Sequence, residues 1–410
     1  MKKFGLLGET LSHSFSPVIH AELGDYDYDL FEVAPTALKA FFGLTTWTGI
    51  NVTIPYKTAA LAFCDELGVA AREIGSVNTV IRRADGTLFG DNTDATGFVY
   101  LLKDVVVKNK KILVLGSGGS SKTVQHVLAK LGAQQIIVIS RTGINNYDNL
   151  AQHYDDTDII VNTTPVGMYP TNGNAPLTLA PFSKLTAVID LVYNPHQTAL
   201  LFAAKRQKIT AIGGLGMLVA QAAAASTLFT GLPVATSQIE VIIKQIARKT
   251  QNIILIGMPG AGKSTVAAEL AQISGRQIID TDEQIALFAD KSIAEIFATE
   301  GEAAFRKYEQ NVMAHAGMWS GKIIATGGGC VKTPANYEHL KQNGIIFWLK
   351  RPVAALGRDD RPLSTGDLSE LYEERRLLYD HFADFSVDNI TTVTAVAQQI
   401  WREFNENFNY

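Results

Sequence analysis

The stretch Gly257-Met258-Pro259-Gly260-Ala261-Gly262-Lys263-Ser264 satisfies the spacing G-x-x-x-x-G-K-[ST], the most specific chemical pattern in the chain. Glycines at these positions let backbone N–H groups wrap phosphate oxygens. Lys263 neutralises phosphate charge, and the Ser264 hydroxyl can ligate Mg²⁺. An apolar run at 252–256 precedes the turn and a helical pattern follows it, which is the context a nucleotide site requires. Downstream, Asp280 and Asp282 flank Thr281 at the end of a β-like run. One carboxylate can then reach metal-bound water and the other an acceptor hydroxyl. Arg306, Arg361 and Arg375 supply cations for anionic groups, and Gly327-Gly328-Gly329 permits close backbone approach. The ordinary alternatives are solvated surface arginines and a flexible turn.

A second glycine-rich turn, Leu115-Gly116-Ser117-Gly118-Gly119-Ser120-Ser121, also lies between an apolar strand-like run and a helical segment. Alone it is a weak pattern; in this context it suits a dinucleotide pyrophosphate at a helix N-terminus. One strand later comes Ser140-Arg141-Thr142, where an NAD site would usually carry an acidic residue for the ribose hydroxyls. Arg141 favours a 2′-phosphate instead, hence NADP; the alternative is a solvated loop arginine.

Further upstream, polar residues gather at the ends of apolar runs: Ser14 and Ser16, Asn51 and Thr53, Lys57, Asn78 and Thr79, and Asn92-Thr93-Asp94. Hydroxyls, amides and one Lys/Asp pair suit a small polyhydroxylated substrate, with the charged pair near the reacting oxygen. Each has a plainer reading as well. Ser14 and Ser16 could cap a helix near Pro17, Asn92 and Asp94 could be turn residues, and Lys57 could be solvated.

Taken in order, these segments resemble the shikimate dehydrogenases. The motifs are His13-Ser14-Phe15-Ser16-Pro17, Asn51-Val52-Thr53-Ile54-Pro55-Tyr56-Lys57, Val77-Asn78-Thr79 and Gly90-Asp91-Asn92-Thr93-Asp94. They continue with Asn162-Thr163-Thr164-Pro165-Val166-Gly167-Met168, Tyr193-Asn194-Pro195 and Gly216-Met217-Leu218-Val219-Ala220-Gln221, so the likeness covers residues 1 to about 245. It implies reduction of 3-dehydroshikimate to shikimate by NADPH, with Lys57 and Asp94 as the catalytic pair. Ser14, Ser16, Asn51, Thr53, Asn78, Tyr193 and Gln221 would line the substrate pocket, and Gly116, Gly118, Gly119, Ser140, Arg141 and Thr142 would hold NADP(H). Ala95 stands where the family usually has glycine, and Ser117 and Ser120 where alanines are common.

The later segments resemble the shikimate kinases over about 250–410. These are Asp280-Thr281-Asp282, Gly301-Glu302-Ala303-Ala304-Phe305-Arg306, Ala325-Thr326-Gly327-Gly328-Gly329 and Arg361-Pro362-Leu363, with Glu374-Arg375-Arg376-Leu377-Leu378-Tyr379 matching in part. That likeness implies transfer of the γ-phosphoryl of ATP to the 3-hydroxyl of shikimate. Asp282 would bind and polarise the hydroxyl, while Ser264 and Asp280 would serve Mg²⁺. Arg306, Gly328 and Arg375 would hold the substrate. Gly257, Gly260, Gly262, Lys263, Ser264 and Thr265 would cradle ATP, with Lys263 and Arg361 catalytic and Arg361 closing from a lid at 356–363. Arg358 of that lid would face the adenine.

The elements that must position these groups alternate between short β-branched runs and helical segments, so an α/β architecture is expected, with largely parallel sheets. Strand-like runs fall at 4–7, 28–33, 49–54 and 77–81; at 111–115, 136–140, 159–162, 188–191 and 209–212; and at 252–256, 278–280, 323–325 and 345–349. The expected domains are a dehydrogenase-like 1–248, with substrate parts at about 1–103 and 216–248 around a Rossmann domain at 104–215, and a P-loop kinase-like 249–410 with a parallel sheet. At 410 residues, with 47% apolar and 19% charged content, the chain has material for several packed cores. A net charge of −4 without long like-charge blocks gives no reason to expect nucleic acid or a membrane surface as partner. Two distant cysteines, Cys64 and Cys330, build neither a disulfide framework nor a cysteine-rich zinc site and suit a reducing compartment. The run after Met1-Lys2-Lys3 breaks at Gly5, too short for a secretory signal, so a cytoplasmic protein is expected.

The leading expectation is a bifunctional enzyme of consecutive shikimate-pathway steps, whose small-molecule substrates are 3-dehydroshikimate and shikimate. One alternative is a quinate-type dehydrogenase fused to another P-loop kinase, such as a gluconate kinase. The other is a non-catalytic sensor of shikimate and nucleotides, against which the presence of Lys57, Asp94, Lys263 and Asp282 counts.

Overall fold

Branched apolar residues fill most of Lys111–Leu115 and Asn252–Ile256, and each run becomes an inner strand of its own sheet in the computed structural model, which describes residues 3–11, 14–356 and 368–406. Two compact units divide the chain: Met1–Met168 with Asn174–Ile246, and Tyr169–Gly173 with Ala247–Tyr410. Among the described residues no helix is long and apolar enough to cross a membrane.

The first unit holds two sheets. In one, β1 (Lys3–Gly8), β2 (Asp27–Glu32), β3 (Gly49–Val52), β4 (Glu66–Leu67), β5 (Thr79–Arg82) and β6 (Leu88–Asp91) run in the order β2-β1-β3-β5-β6-β4. The sheet is mixed rather than parallel, because β5 pairs antiparallel with both β3 and β6. A tight turn makes this possible: Asp85 accepts from the Thr87 N–H at 2.9 Å and Gly86 takes a φ of +89°. Antiparallel neighbours need only such a turn, whereas parallel ones need a crossover. Strand β6 was not read from the sequence, since Gly90 interrupts its apolar pattern.

The other sheet is parallel throughout. Its strands are β7 (Lys111–Leu115), β8 (Gln135–Ile139), β9 (Ile159–Asn162), β10 (Ala187–Asp190) and β11 (Thr210–Gly213), in the order β11-β10-β9-β7-β8. Strand order reverses beside β7, the kind of switch point at which open α/β sheets bind ligands beyond the strand ends. Helix Leu215–Thr230 returns to the first sheet's side and packs along helix Thr93–Leu101.

The second unit repeats the logic with β12 (Asn252–Ile256), β13 (Ile278–Asp280), β14 (Ile323–Ala325), β15 (Gly344–Lys350) and β16 (Phe385–Asp388), all parallel, in the order β13-β14-β12-β15-β16. Every residue of β12 is buried, as expected for a strand covered on both faces. The turn after β12 thus starts from a strand held on every side.

Helices Thr93–Leu101 and Leu215–Thr230 approach so closely at Gly97 that a Cβ there would stand 2.6 Å from the Met217 carbonyl oxygen. In an open helix Gly→Ala adds up to about 1 kcal/mol of stability. Gly97→Ala should instead destabilise by roughly 1–3 kcal/mol, as overpacking does. Hydrogen exchange should then quicken in both helices while residues 252–256 keep their protection; unchanged exchange at 93–101 and 215–230 would contradict the close packing.

Candidate active sites

In the first unit the β5–β6 hairpin delivers the chain to helix Thr93–Leu101, and Asn92 caps that helix by accepting from the Ala95 N–H at 3.3 Å. Asn92 thus acts as a cap, and its amide also ties back to the Ser76 carbonyl at 3.0 Å. The cap sets Asp94 in the first turn, where a carboxylate is favoured by the helix dipole. Asp94 is buried, and burying a carboxylate demands compensation. Lys57 Nζ donates to Asp94 Oδ2 at 2.6 Å and Asn78 Nδ2 to Oδ1 at 2.9 Å. Both carboxylate oxygens are therefore oriented.

The same polar chain continues outward. Asn78 Oδ1 accepts from the Thr93 N–H at 2.6 Å and from the Thr79 hydroxyl at 3.2 Å. Asn51 Nδ2 donates to Thr79 Oγ1 at 3.1 Å, and Tyr28 donates to Asn51 Oδ1 at 2.7 Å. Gln221 reaches this group from helix Leu215–Thr230, its Oε1 lying 3.4 Å from Asn78 Nδ2. Gly97 makes that approach possible, because a Cβ there would also press on Gln221.

Helix Ser16–Leu23 starts without a side-chain cap; Ser14 Oγ accepts from the Ser16 N–H at 3.2 Å. Tyr193, from the loop after β10, brings its ring to 5.5 Å from that of Phe15, between the two serines. Burial pushes the Tyr193 phenol up from its ordinary pKa. Thr53 follows β3 with its N–H on the Leu7 carbonyl at 2.9 Å. Lys57, Asp94, Asn78, Gln221 and Asn51 thus form one connected set, with Ser14, Ser16 and Tyr193 meeting around Phe15.

At the end of β7, Gly116 takes a φ of +101°, and a Cβ on Gly118 or Gly119 would meet nothing within 4 Å. The first turn of helix Gly119–Lys130 is therefore open to a phosphate at its N-terminus. Ser140 follows β8, with Arg141 and Thr142 exposed beyond it, at the neighbouring strand end. The chain segments after β9 and β10 are joined by Asp190. Its carboxylate accepts from Asn162 Nδ2 at 2.9 Å, the Val192 N–H at 3.1 Å and Thr198 Oγ1 at 2.7 Å. Burial raises this carboxyl from an ordinary 3.8 to about 6, with the three donors opposing the rise.

In the second unit Lys263 begins helix Lys263–Ser274 and is buried, its ammonium donating to the carbonyls of Gly257 at 2.9 Å and Met258 at 3.0 Å. Ser264 and Thr265 follow on the exposed first turn, and Gly260 and Gly262 take positive φ within the loop. Ser264 Oγ stands 3.2 Å from Asp280 Oδ2, so two oxygens converge where a hard divalent cation would fit, its other ligands being water and phosphate. Among the described residues no group of three or more His, Cys, Asp or Glu gathers as a metal site. Asp280 also caps helix Thr281–Ala289, accepting from the Asp282 N–H at 2.9 Å.

Asp282 lies against Gly327, where a Cβ would meet its Oδ1 at 2.5 Å; one on Gly329 would meet Arg306 Nη2 at 2.6 Å. The glycine run thus fits between a carboxylate and a guanidinium. Arg375 and Tyr379 both donate to the Gly328 carbonyl, the arginine at 3.1 Å. Arg361 and Arg358 lie outside the described residues.

Glu309 is a member that sequence reading missed. It is 1% exposed and pairs with Arg306 Nη1 at 2.8 Å. Its other oxygen is buried without a hydrogen bond. Burial raises the Glu309 carboxyl from its ordinary pKa, and Arg306 offsets part of that rise. The available pattern was the i,i+3 spacing from Arg306 on one helix face.

A shikimate kinase family model matches residues 259–405, and a shikimate dehydrogenase substrate binding domain model matches residues 6–80. The shikimate dehydrogenase (NADP(+)) of Caldanaerobacter subterraneus subsp. tengcongensis is 37% identical over 259 residues, covering 56% of this chain and 92% of that protein. Among solved structures, a chorismate mutase/shikimate 5-dehydrogenase fusion protein from Clostridium acetobutylicum aligns with a TM-score of 0.58 at 34% identity, over 61% of this chain and 98% of that one. Shikimate 5-dehydrogenase from Thermus thermophilus, in complex with NADP(H) and shikimate, aligns with a TM-score of 0.54 at 33% identity, over 60% of this chain and 99% of that one.

Asp190 yields a pH dependence. Its folded-state pKa is raised, so the folded chain holds the proton through the window from about 4 to 6, and the associated stability is lost as pH rises through it. The stability difference between wild type and Asp190→Asn should shrink by roughly 3 kcal/mol from pH 4 to pH 7. Urea unfolding read by hydrogen exchange at 159–162 and 187–190 measures it, and a pH-independent difference would refute the assignment.

Proposed function

Because the chain belongs to the shikimate dehydrogenase family, with a shikimate kinase domain behind it, we propose that it is a bifunctional enzyme of consecutive reactions. The first reduces 3-dehydroshikimate to shikimate, and the second phosphorylates shikimate to shikimate 3-phosphate. The observation that carries this reading is the pair of prepared carboxylates: Asp94 locked to Lys57 in one unit, and Asp282 set among Gly327, Arg306 and Arg375 in the other. The first pocket's product is the second pocket's acceptor. A dehydrogenase spanning about 1–248, with substrate parts at 1–103 and 216–248 and a cofactor part at 104–215, and a kinase spanning 249–410 complete the assignment.

NADPH supplies hydride and ATP the phosphoryl group, with Mg²⁺ neutralising phosphate charge. The chain supplies the rest. Lys57 stabilises charge growing on the carbonyl oxygen and delivers its proton, while Asp94 holds the ammonium and the neighbouring substrate hydroxyl. Ser14, Ser16, Asn51, Thr53, Asn78, Tyr193 and Gln221 position the ring acid. Gly116, Gly118 and Gly119 accommodate pyrophosphate, and Arg141 with Ser140 and Thr142 favours the 2′-phosphate.

On the kinase side, Asp282 binds and polarises the acceptor hydroxyl, and Arg306, Gly328 and Arg375 hold the carboxylate end. Gly257, Gly260, Gly262, Lys263, Ser264 and Thr265 cradle the triphosphate; Ser264 and Asp280 provide the cation's oxygens. Arg361, outside the described residues, would by the family resemblance be the remaining catalytic cation for the phosphates. A cytoplasmic location fits two free thiols, Cys64 and Cys330.

Lys57→Ala should lower shikimate oxidation by NADP⁺ by about 10²–10⁴-fold, the scale of a lost acid–base group, and leave shikimate-dependent ATP consumption unchanged. Lys263→Ala should do the reverse. Failure of the wild-type chain to form shikimate 3-phosphate from 3-dehydroshikimate, NADPH, ATP and Mg²⁺ would refute the two-step assignment. Arg141→Ala should raise the KM for NADP⁺ about tenfold with little change for NAD⁺, as loss of a charge-assisted contact predicts; equal effects on both cofactors would remove Arg141 from 2′-phosphate recognition.

A further inference from the structure

We propose that Tyr28 is a positioning residue of the dehydrogenase pocket, its hydroxyl fixing the orientation of the Asn51 amide and its ring held in place by His20. The inference deepens the proposed shikimate reduction and rests on it.

Tyr28 lies on β2, an edge strand, yet its hydroxyl reaches past β1 to Asn51 on β3, donating to Oδ1 at 2.7 Å. The hydroxyl therefore touches a residue assigned to the substrate from two strands away in the sheet. The ring is clamped from the other side: His20 of helix Ser16–Leu23 stacks on it with centroids 3.9 Å apart and planes 9° from parallel.

A backbone carbonyl decides which way the amide faces. Asn51 Nδ2 donates to the Asn78 carbonyl at 3.4 Å and to Thr79 Oγ1 at 3.1 Å, and the carbonyl can only accept. Nδ2 of Asn51 therefore points to Thr79, and Oδ1 points to Tyr28. His20, which supports the ring, has its own tautomer set by its neighbours. The Tyr26 hydroxyl donates to Ser226 Oγ at 3.0 Å, so the 2.7 Å contact with His20 requires a hydrogen on Nδ1. Nε2 is then a bare acceptor, buried without a hydrogen bond. Burial lowers the imidazole to about 3, so it stays neutral at physiological pH.

From Asn51 the chain runs through Thr79 and Asn78 to Asp94 and Lys57. Tyr28 stands at its far end. A Tyr28→Phe side chain keeps the stacked ring and removes only the hydrogen bond that holds Asn51 Oδ1.

The test uses the full-length chain. Tyr28→Phe should raise the KM for shikimate about tenfold, in keeping with one lost hydrogen bond in a buried network. The KM for NADP⁺ and the kinase kcat/KM should stay within about twofold, showing that the fold is intact. In an Asn51→Ala background the same substitution should change the shikimate KM less than about twofold, because the group Tyr28 orients is gone. His20→Phe should move the shikimate KM in the same direction by a smaller factor. An unchanged shikimate KM in Tyr28→Phe, or an equal effect with and without Asn51, overturns the proposal. Absence of shikimate oxidation by the wild-type chain overturns the premise, and the proposal with it.

Discussion

A carboxylate withdrawn from water must meet a cation or several hydrogen-bond donors, and that requirement organises both halves of this protein. Asp94 is answered by Lys57 from the turn after β3 and by Asn78 from the residue before β5. Glu309 is answered by Arg306 on its own helix, with one oxygen left over. Because such groups cannot be displaced without large loss, the elements that carry them are fixed relative to one another. The functional geometry and the packing of the surrounding strands are then the same problem.

Parallel sheets solve it in a characteristic way. Their strands are buried on both faces and end together, so the turns at one edge lie side by side with free helix N-termini facing outward. The turns after β7 and β12 lie at this edge and present glycine backbone at a helix N-terminus. The mixed first sheet does something different. Its β5–β6 hairpin doubles back and sets Asn78, Thr79, Thr93 and Asp94 together around one polar chain. A hairpin suits this purpose because both of its ends emerge at the same place.

Small residues decide how near the walls can come. Gly97 lets the helix bearing Gln221 reach the Asp94 network, and Gly327 with Gly329 fits between Asp282 and Arg306. In each case the missing Cβ is what admits a polar partner. Substrate contacts, backbone approach and packing density are consequently linked, and a change in one glycine would be felt as a change in polar geometry.

The linear order of residues determined both glycine-rich turns, the Lys57–Asp94 pairing in prospect, and the succession of two α/β units, because glycine spacing and apolar runs act over a few neighbours and need no distant partner. Tertiary structure alone decided the antiparallel β5–β6 pairing, whose second strand is masked by Gly90, and the burial of Glu309, which in the sequence is one acidic residue on a charged helix. It alone brought Tyr28 to Asn51, across 23 positions of chain, and stacked His20 on the Tyr28 ring. Side chains with ordinary local settings become functional when strands and helices far apart in sequence are stacked, since hydrogen bonds and burial depend on position in space, to which periodicity gives no access.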